Sequence, residues 1–282
     1  MTILDASYLR PRLRHRDNDT HKRNYGHLLV VAGCDRMPGA AVLATGAALQ
    51  SGCGLVTLHS TERGLQSTVN NFPSAMLSEE LEAHFCTVPP NLKKYAVIAV
   101  GPGLGRSAGT MNALMDLLSI AYAERVPMVL DADALTVLSV IPDWPDLLPK
   151  GSILTPHMGE LRRLLPHGTD ETRVELAREL CAYAGCTLVM KGYHTRVFTR
   201  DGDCLVNQTG GPGLAKGGSG DVLTGLIGGL LARGYSPEDA AALGVWIHGY
   251  AGDCLARERS EEAFSSRDLV DYLWKGFKEL YG

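Results

Sequence analysis

Short apolar runs alternate with polar loops and with stretches of helical period along most of this chain. LLVVA (28–32) is rich in β-branched residues, ends at Gly33 and reads as a buried strand. GLVTLHS (54–60), YAVIAV (95–100), PMVLD (127–131), SILTP (151–155) and TLVMK (187–191) repeat that pattern. RVFT and DCLVNQ form a candidate hairpin before a glycine-rich loop. Pro38 suits the first position of a helix running to about Gln50, and further helices are predicted over about 221–233, 237–257 and 266–280. Apolar strand, loop and helix in repetition predict an α/β fold, with a largely parallel sheet covered on both faces. Residues 1–26 are polar and basic, an N-terminal extension with room for a short helix and a loop. With no linker, repeat or low-complexity segment, residues 1–282 read as one domain.

Composition narrows the class. At 45% apolar and 21% charged residues the chain fits a globular protein. A net charge of −4 argues against non-specific nucleic-acid binding. The seven cysteines are scattered with no CxxC pair, which favours reduced thiols in a cytoplasmic protein over a zinc site. No apolar run of membrane-spanning length occurs, and the N-terminus has no signal-peptide core.

The chemistry concentrates after the strands. In an open α/β sheet, ligands bind outside the carboxyl ends of the strands, so GPGLG, DAD, TPHMGE, MKGYHT and GGSGD are expected on one rim. The strongest of these is GGPGLAKGGSGD (210–221), where glycines lead to a lone acid at a helix start. The amides of Gly218, Ser219 and Gly220 are candidates to hold phosphate charge, aided by the helix dipole. Asp221 is the candidate general base, kept ionised by the same helix end. The run is not a P-loop, which requires Lys and then Ser or Thr after its last glycine.

Lys191 is a point charge suited to nucleotide phosphate. In TPHMGE, Glu160 can support the helix start and His157 is a candidate substrate contact. GPGLGRS fails the dinucleotide fingerprint because Arg106 stands where a glycine is needed. In DADAL, Asp133 is expected to cap the next helix, and Asp131 is placed to reach Mg²⁺ through water, with no metal ligand assigned. The helix start Gly39–Ala41 offers amides to a second ligand.

Taken together, HKRNYGHLLVVAG, MPGAA, GPGLG, LDADAL, LTPHMGE, MKG and NQTGGPGLAKGGSGDVLTG resemble the NAD(P)H-hydrate dehydratase family, the carbohydrate-kinase-like branch of the ribokinase superfamily, over roughly residues 20–280. The resemblance implies a ribokinase-like fold and repair of hydrated NADH and NADPH (the S-epimers of NADHX and NADPHX). The hydroxyl would be phosphorylated from ADP or ATP with Mg²⁺, and phosphate then eliminated. It assigns Ala41, Gly103, His157 and Asp221 to the hydrated dinucleotide. It assigns Lys191, Gly192, Tyr193, His194, Thr195 and Gly220 to the adenine nucleotide, and Asp221 to catalysis as the base. Ser219 stands where many members have threonine, which keeps a hydroxyl. The resemblance further implies a homo-oligomer, a tetramer, and epimerisation by a separate protein acting in the same pathway or spontaneously. The competing reading is a small-molecule kinase of the same superfamily acting on a thiazole, pyrimidine or sugar alcohol.

Overall fold

A computed structural model describes all 282 residues. The strands are β1 (Thr2–Leu4), β2 (His27–Val31), β3 (Leu55–Thr61), β4 (Met76–Glu80), β5 (Val97–Val100), β6 (Met128–Leu130), β7 (Ile153–Leu154), β8 (Thr187–Met190), β9 (Arg196–Phe198) and β10 (Cys204–Asn207). The helices are α1 (Ala6–Leu9), α2 (Pro38–Gln50), α3 (Glu62–Asn71), α4 (Ala108–Glu124), α5 (Ala132–Leu138), α6 (Met158–Leu164), α7 (Asp170–Ala184), α8 (Ser219–Ala232), α9 (Pro237–Arg259) and α10 (Ser266–Tyr281).

All ten strands form one sheet in the order β1-β10-β9-β8-β7-β6-β5-β2-β3-β4. Only β9 runs antiparallel to its neighbours. Alternate residues of β2 feed opposite faces, as the pleat requires. Leu28 and Val30 join the layer built by α2, α8, α9 and α10, while Leu29 and Val31 join the layer built by α4 to α7. The sheet grows one way from β2 through β3 to β4 and the other way from β5 through β8. The loops leaving β2 and β5 therefore diverge, opening a crevice at the switch point. Gly33 N donates to Pro102 O across it at 2.8 Å.

The N-terminal extension belongs to the fold. β1 pairs with β10 and forms one edge of the sheet, and Leu4 and Leu9 are buried. β4 pairs with β3 at the opposite edge. Neither strand was expected from the pattern of apolar runs. All seven cysteines are unpaired, and five of them are buried.

One helix contact sets the geometry of the rim. A Cβ on Gly225 would lie 1.9 Å from the carbonyl oxygen of Ala44, so only glycine lets α8 rest on the backbone of α2. Gly218 faces Leu43, and Gly229 faces Ala48 and Ser51, in the same order along both helices. The two helices thus run parallel, with their amino ends together.

Candidate active site

The glycine-rich loop enters α8 through Gly218, whose φ of +89° is left-handed and costs glycine little. A Cβ there would also come within 2.4 Å of Leu43. Beyond it the helix begins without a side-chain cap. The amides of Gly218, Gly220 and Asp221 donate to no other group of the chain, while that of Ser219 reaches Lys216 O at 3.3 Å. Of the three amides expected to hold phosphate, two are open. Lys216 itself faces away, donating to the carbonyls of Glu261, Glu262 and Phe264.

Charged side chains from three other loops gather beside this helix end. Lys191, at the end of β8, donates to Asp131 Oδ1 at 2.6 Å and lies 3.8 Å from Glu160 Oε2. Thr224 Oγ1, one turn into α8, donates to Asp131 Oδ2 at 2.7 Å. Both Asp131 oxygens are thus engaged inside the protein, which corrects the expectation that Asp131 stands ready for a hydrated metal ion. A Cβ on Gly220 would lie 3.4 Å from Lys191 Nζ and 3.5 Å from Asp131 Oδ2. The DAD, TPHMGE, MKGYHT and GGSGD loops meet on one rim, as their positions in sequence predict.

Buried charges shift one another here. Burial, reinforced by Asp131, raises the Asp221 carboxyl to about 6 despite the pull of Lys191. The sequence expectation was that the helix end would keep Asp221 ionised; the carboxyl instead shifts toward its protonated form without reaching neutrality at pH 7. Loss of hydration and a like charge outweigh the dipole. A base near pH 6 is still mostly ionised at neutral pH and is a better proton acceptor than a free carboxylate. Burial lowers the Lys191 ammonium, but Asp131 and Glu160 outweigh it and hold Lys191 above its usual range. Burial and Asp131 raise Glu160 against the opposing effect of Lys191.

His157 caps α6: its Nδ1 accepts from the amides of Gly159 (2.9 Å) and Glu160 (3.2 Å). Glu160 Oε2 returns the contact by accepting from His157 N at 2.8 Å, the reciprocal cap expected from TPHMGE. With Nδ1 accepting, the ring proton sits on Nε2, on an imidazole that is 56% exposed. His157 also bridges Lys191 through the backbone, so the two lie on adjacent strand ends.

Asp133 does not cap α5. The cap position belongs to Asp131, whose side chain turns to Lys191 instead. Asp133 accepts from Gly105 N at 2.9 Å and so ties the GPGLG loop to the rim. Between the two acids, Ala132 has φ +48°, an uncommon conformation for a residue with a side chain. The backbone stores strain here, where Asp131 must face inward and Asp133 the other way.

Ala41 and Gly103 lie at the switch-point crevice. Ala41 is fully buried in the first turn of α2, with its methyl facing Gly33. Gly103 packs against the start of α2, where a Cβ would come within 2.7 Å of Ala40. On the other side, Lys191, Gly192, Tyr193 and His194 line a cleft of ≈360 Å³ that also includes Met158. Tyr193 is 87% exposed and stacks on His194 at 4.0 Å, while Thr195 Oγ1 donates to Gly192 O and closes the turn.

Sequence reasoning passed over Thr224 and His248. Thr224 is a lone threonine in the otherwise apolar helix segment VLTGLIGGLLA and gives no local signal. His248 had a visible signal, a lone histidine in the apolar helix segment AALGVWIHGYAG. No group of three or more metal-ligating side chains is present at the site or elsewhere, and no helix is long and apolar enough to cross a membrane.

Comparison with known proteins adds to this geometry. Residues 28–275 match the family described as NAD(P)H-hydrate dehydratase. The bifunctional NAD(P)H-hydrate repair enzyme of Moorella thermoacetica is 38% identical over 96% of this chain, which spans 53% of that protein. The ADP-dependent (S)-NAD(P)H-hydrate dehydratase of Neisseria meningitidis serogroup B is 39% identical, over 85% of this chain and 80% of its own. The crystal structure of the Bacillus subtilis ADP/ATP-dependent NAD(P)H-hydrate dehydratase, co-crystallised with ATP/Mg²⁺, superposes with a TM-score of 0.84 at 32% identity, covering 99% of this chain and 98% of the other. The chain thus spans about half the length of the bifunctional relatives and nearly all of the Bacillus subtilis enzyme.

Proposed function

The chain belongs to the NAD(P)H-hydrate dehydratase family, and on that premise we propose that it restores NADH and NADPH from their S-hydrates at the expense of ADP, with ATP as the alternative donor. The observation that supports this best is the junction of Asp221, Lys191 and the open amides of α8, where a hydroxyl and a terminal phosphate would meet.

In this reading the dinucleotide lies along the crevice, against the start of α2 at Ala41, the backbone at Gly103 and the Nε2–H of His157. The adenine nucleotide lies over Gly192, Tyr193, His194 and Thr195. Its terminal phosphate reaches Lys191 and the amides of Gly218 and Gly220. Asp221 accepts the proton of the ring hydroxyl as that oxygen bonds to phosphorus and AMP departs. The ring nitrogen's electron pair then expels phosphate, and loss of a proton from the neighbouring carbon restores the double bond. Hydrate and ADP become NADH or NADPH, AMP, phosphate and one proton. Hydroxide, a poor leaving group, departs as phosphate.

Mg²⁺ fits the site as an ion carried on nucleotide phosphates, because magnesium keeps several waters and needs few protein ligands. With Asp131 held by Lys191 and Thr224, Glu160 would face its water shell, and the ion would neutralise charge on the phosphates. A homo-oligomer and a separate epimerase in the same pathway complete the reading.

The test is absorbance at 340 nm after enzyme, Mg²⁺ and ADP, then ATP, are added to purified NADHX. A nucleotide-dependent rise supports the proposal and identifies the donor. Absence of a rise with either donor, with nucleotide consumed on a thiazole or pyrimidine alcohol, would move the protein to the kinase branch.

A further inference from the structure

We infer that His248 is a positioning residue for the anion loop: its Nε2–H holds Ser219 so that the serine hydroxyl proton points at the nucleotide phosphate. The inference rests on the reading above, that the start of α8 receives that phosphate.

His248 lies in the middle of α9, on a face otherwise buried among apolar side chains, and is only 8% exposed. A polar ring in such a place needs a partner. The partner is a single residue: Nε2 is 2.9 Å from Ser219 O and 3.2 Å from Ser219 Oγ. Burial pulls the ring down to about 4, so it is neutral at physiological pH and carries one N–H.

The direction of the bonds follows. A carbonyl oxygen can only accept, so the N–H sits on Nε2 and donates to Ser219 O. Nε2 then has no lone pair for a second bond. Ser219 Oγ can face it only as an acceptor sharing the same N–H, and its own proton must point elsewhere. No group of the chain receives that proton. Beside it lie the open amides of Gly218, Gly220 and Asp221. A phosphate oxygen held by those amides is the acceptor that completes the set. His248 thus fixes both the first residue of α8 and the polarity of its hydroxyl, without itself touching the ligand.

The experiment compares His248→Leu, His248→Gln and Ser219→Ala in the full chain. It measures ADP affinity by calorimetry, kcat and KM for ADP, and thermal midpoint. A donor aimed at developing charge is worth about 10²–10³ in kcat, so a misaimed one is expected to cost at least about tenfold. His248→Leu is expected to weaken ADP binding and lower kcat by about that factor. His248→Gln, which carries an amide donor at similar reach, is expected to recover most of both. Adding Ser219→Ala to His248→Leu is expected to cost little more than either change alone.

Two results would overturn the inference: a folded His248→Leu enzyme with wild-type ADP affinity and kcat, or losses that are fully additive with Ser219→Ala. If His248→Leu does not fold, His248→Asn takes its place, since its amide is too short to reach Ser219, and a match to His248→Gln would be equally fatal. If the wild-type enzyme binds no ADP, the nucleotide reading fails first and this inference falls with it.

Discussion

The two halves of the candidate site are built from opposite materials. Around the switch-point crevice, Ala41 and Gly103 are small, buried and tightly packed, with no charge of their own. Around α8, Asp131, Glu160, Lys191 and Asp221 are packed so closely that each alters the ionisation or position of another. The first half recognises by shape and tolerates no bulk. The second works by charge and tolerates no change of balance. A dinucleotide needs a surface to lie on, whereas phosphoryl transfer needs preorganised charge in a water-poor place.

Substitutions at the two halves should therefore fail differently. The largest effect is expected from Asp221→Asn, which should lower kcat by about 10²–10⁴ while ADP affinity is kept. The wild-type rate should also fall as pH drops through about 6, where the base becomes protonated. Stability should move the other way. The folded carboxyl holds its proton at about 6 against an ordinary 3.8, so stability is lost as pH rises through that window. Asp221→Asn should then raise the thermal midpoint above pH 7, and an unchanged midpoint would show that burial of this carboxylate carries no strain.

Next in size is Asp131→Ala. It removes the direct ion-pair partner of Lys191, leaving Glu160 and Asp221 nearby, and leaves Thr224 only the Gly220 carbonyl as acceptor; it should destabilise the fold by about 3 kcal/mol in a denaturant titration. A cost near zero would mean that Lys191 simply turns to solvent. Gly103→Val probes the uncharged half. It should raise KM for the hydrated dinucleotide about tenfold, leaving ADP affinity as it was; equal losses for both ligands would merge the two halves into one. The smallest effect belongs to Ala132→Gly. A helical alanine-to-glycine change ordinarily costs about 1 kcal/mol, but relief of the strained φ should offset it and leave the midpoint nearly unchanged.

Much of this was legible in the sequence. The helix starting at Pro38 runs to Gln50 as its small-residue pattern predicts, and the three C-terminal helices lie within a few residues of their expected spans. The rim loops were legible because each follows an apolar run and carries its own glycines, histidine or acid. β1 and β4 were not. The first is three residues long, and the second, MLSEE, is an edge strand with most of its side chains exposed, so neither leaves an apolar run. The Asp131–Lys191 pair joins residues sixty positions apart, and no local pattern signals a contact made by strand order. Asp133 misled because an acid near a helix start is normally a cap. Here its carboxylate serves the neighbouring loop instead.

The contact of Gly225 with the Ala44 carbonyl has a consequence for selectivity. Two helices touching backbone to backbone at one point have no side chain there to yield, so the gap between their amino ends is a fixed gauge. A donor and an acceptor seated at those ends meet at one spacing or not at all. A shorter alcohol lying in the crevice would leave its hydroxyl stranded short of phosphorus. Reach, rather than affinity, would then decide which molecules are repaired.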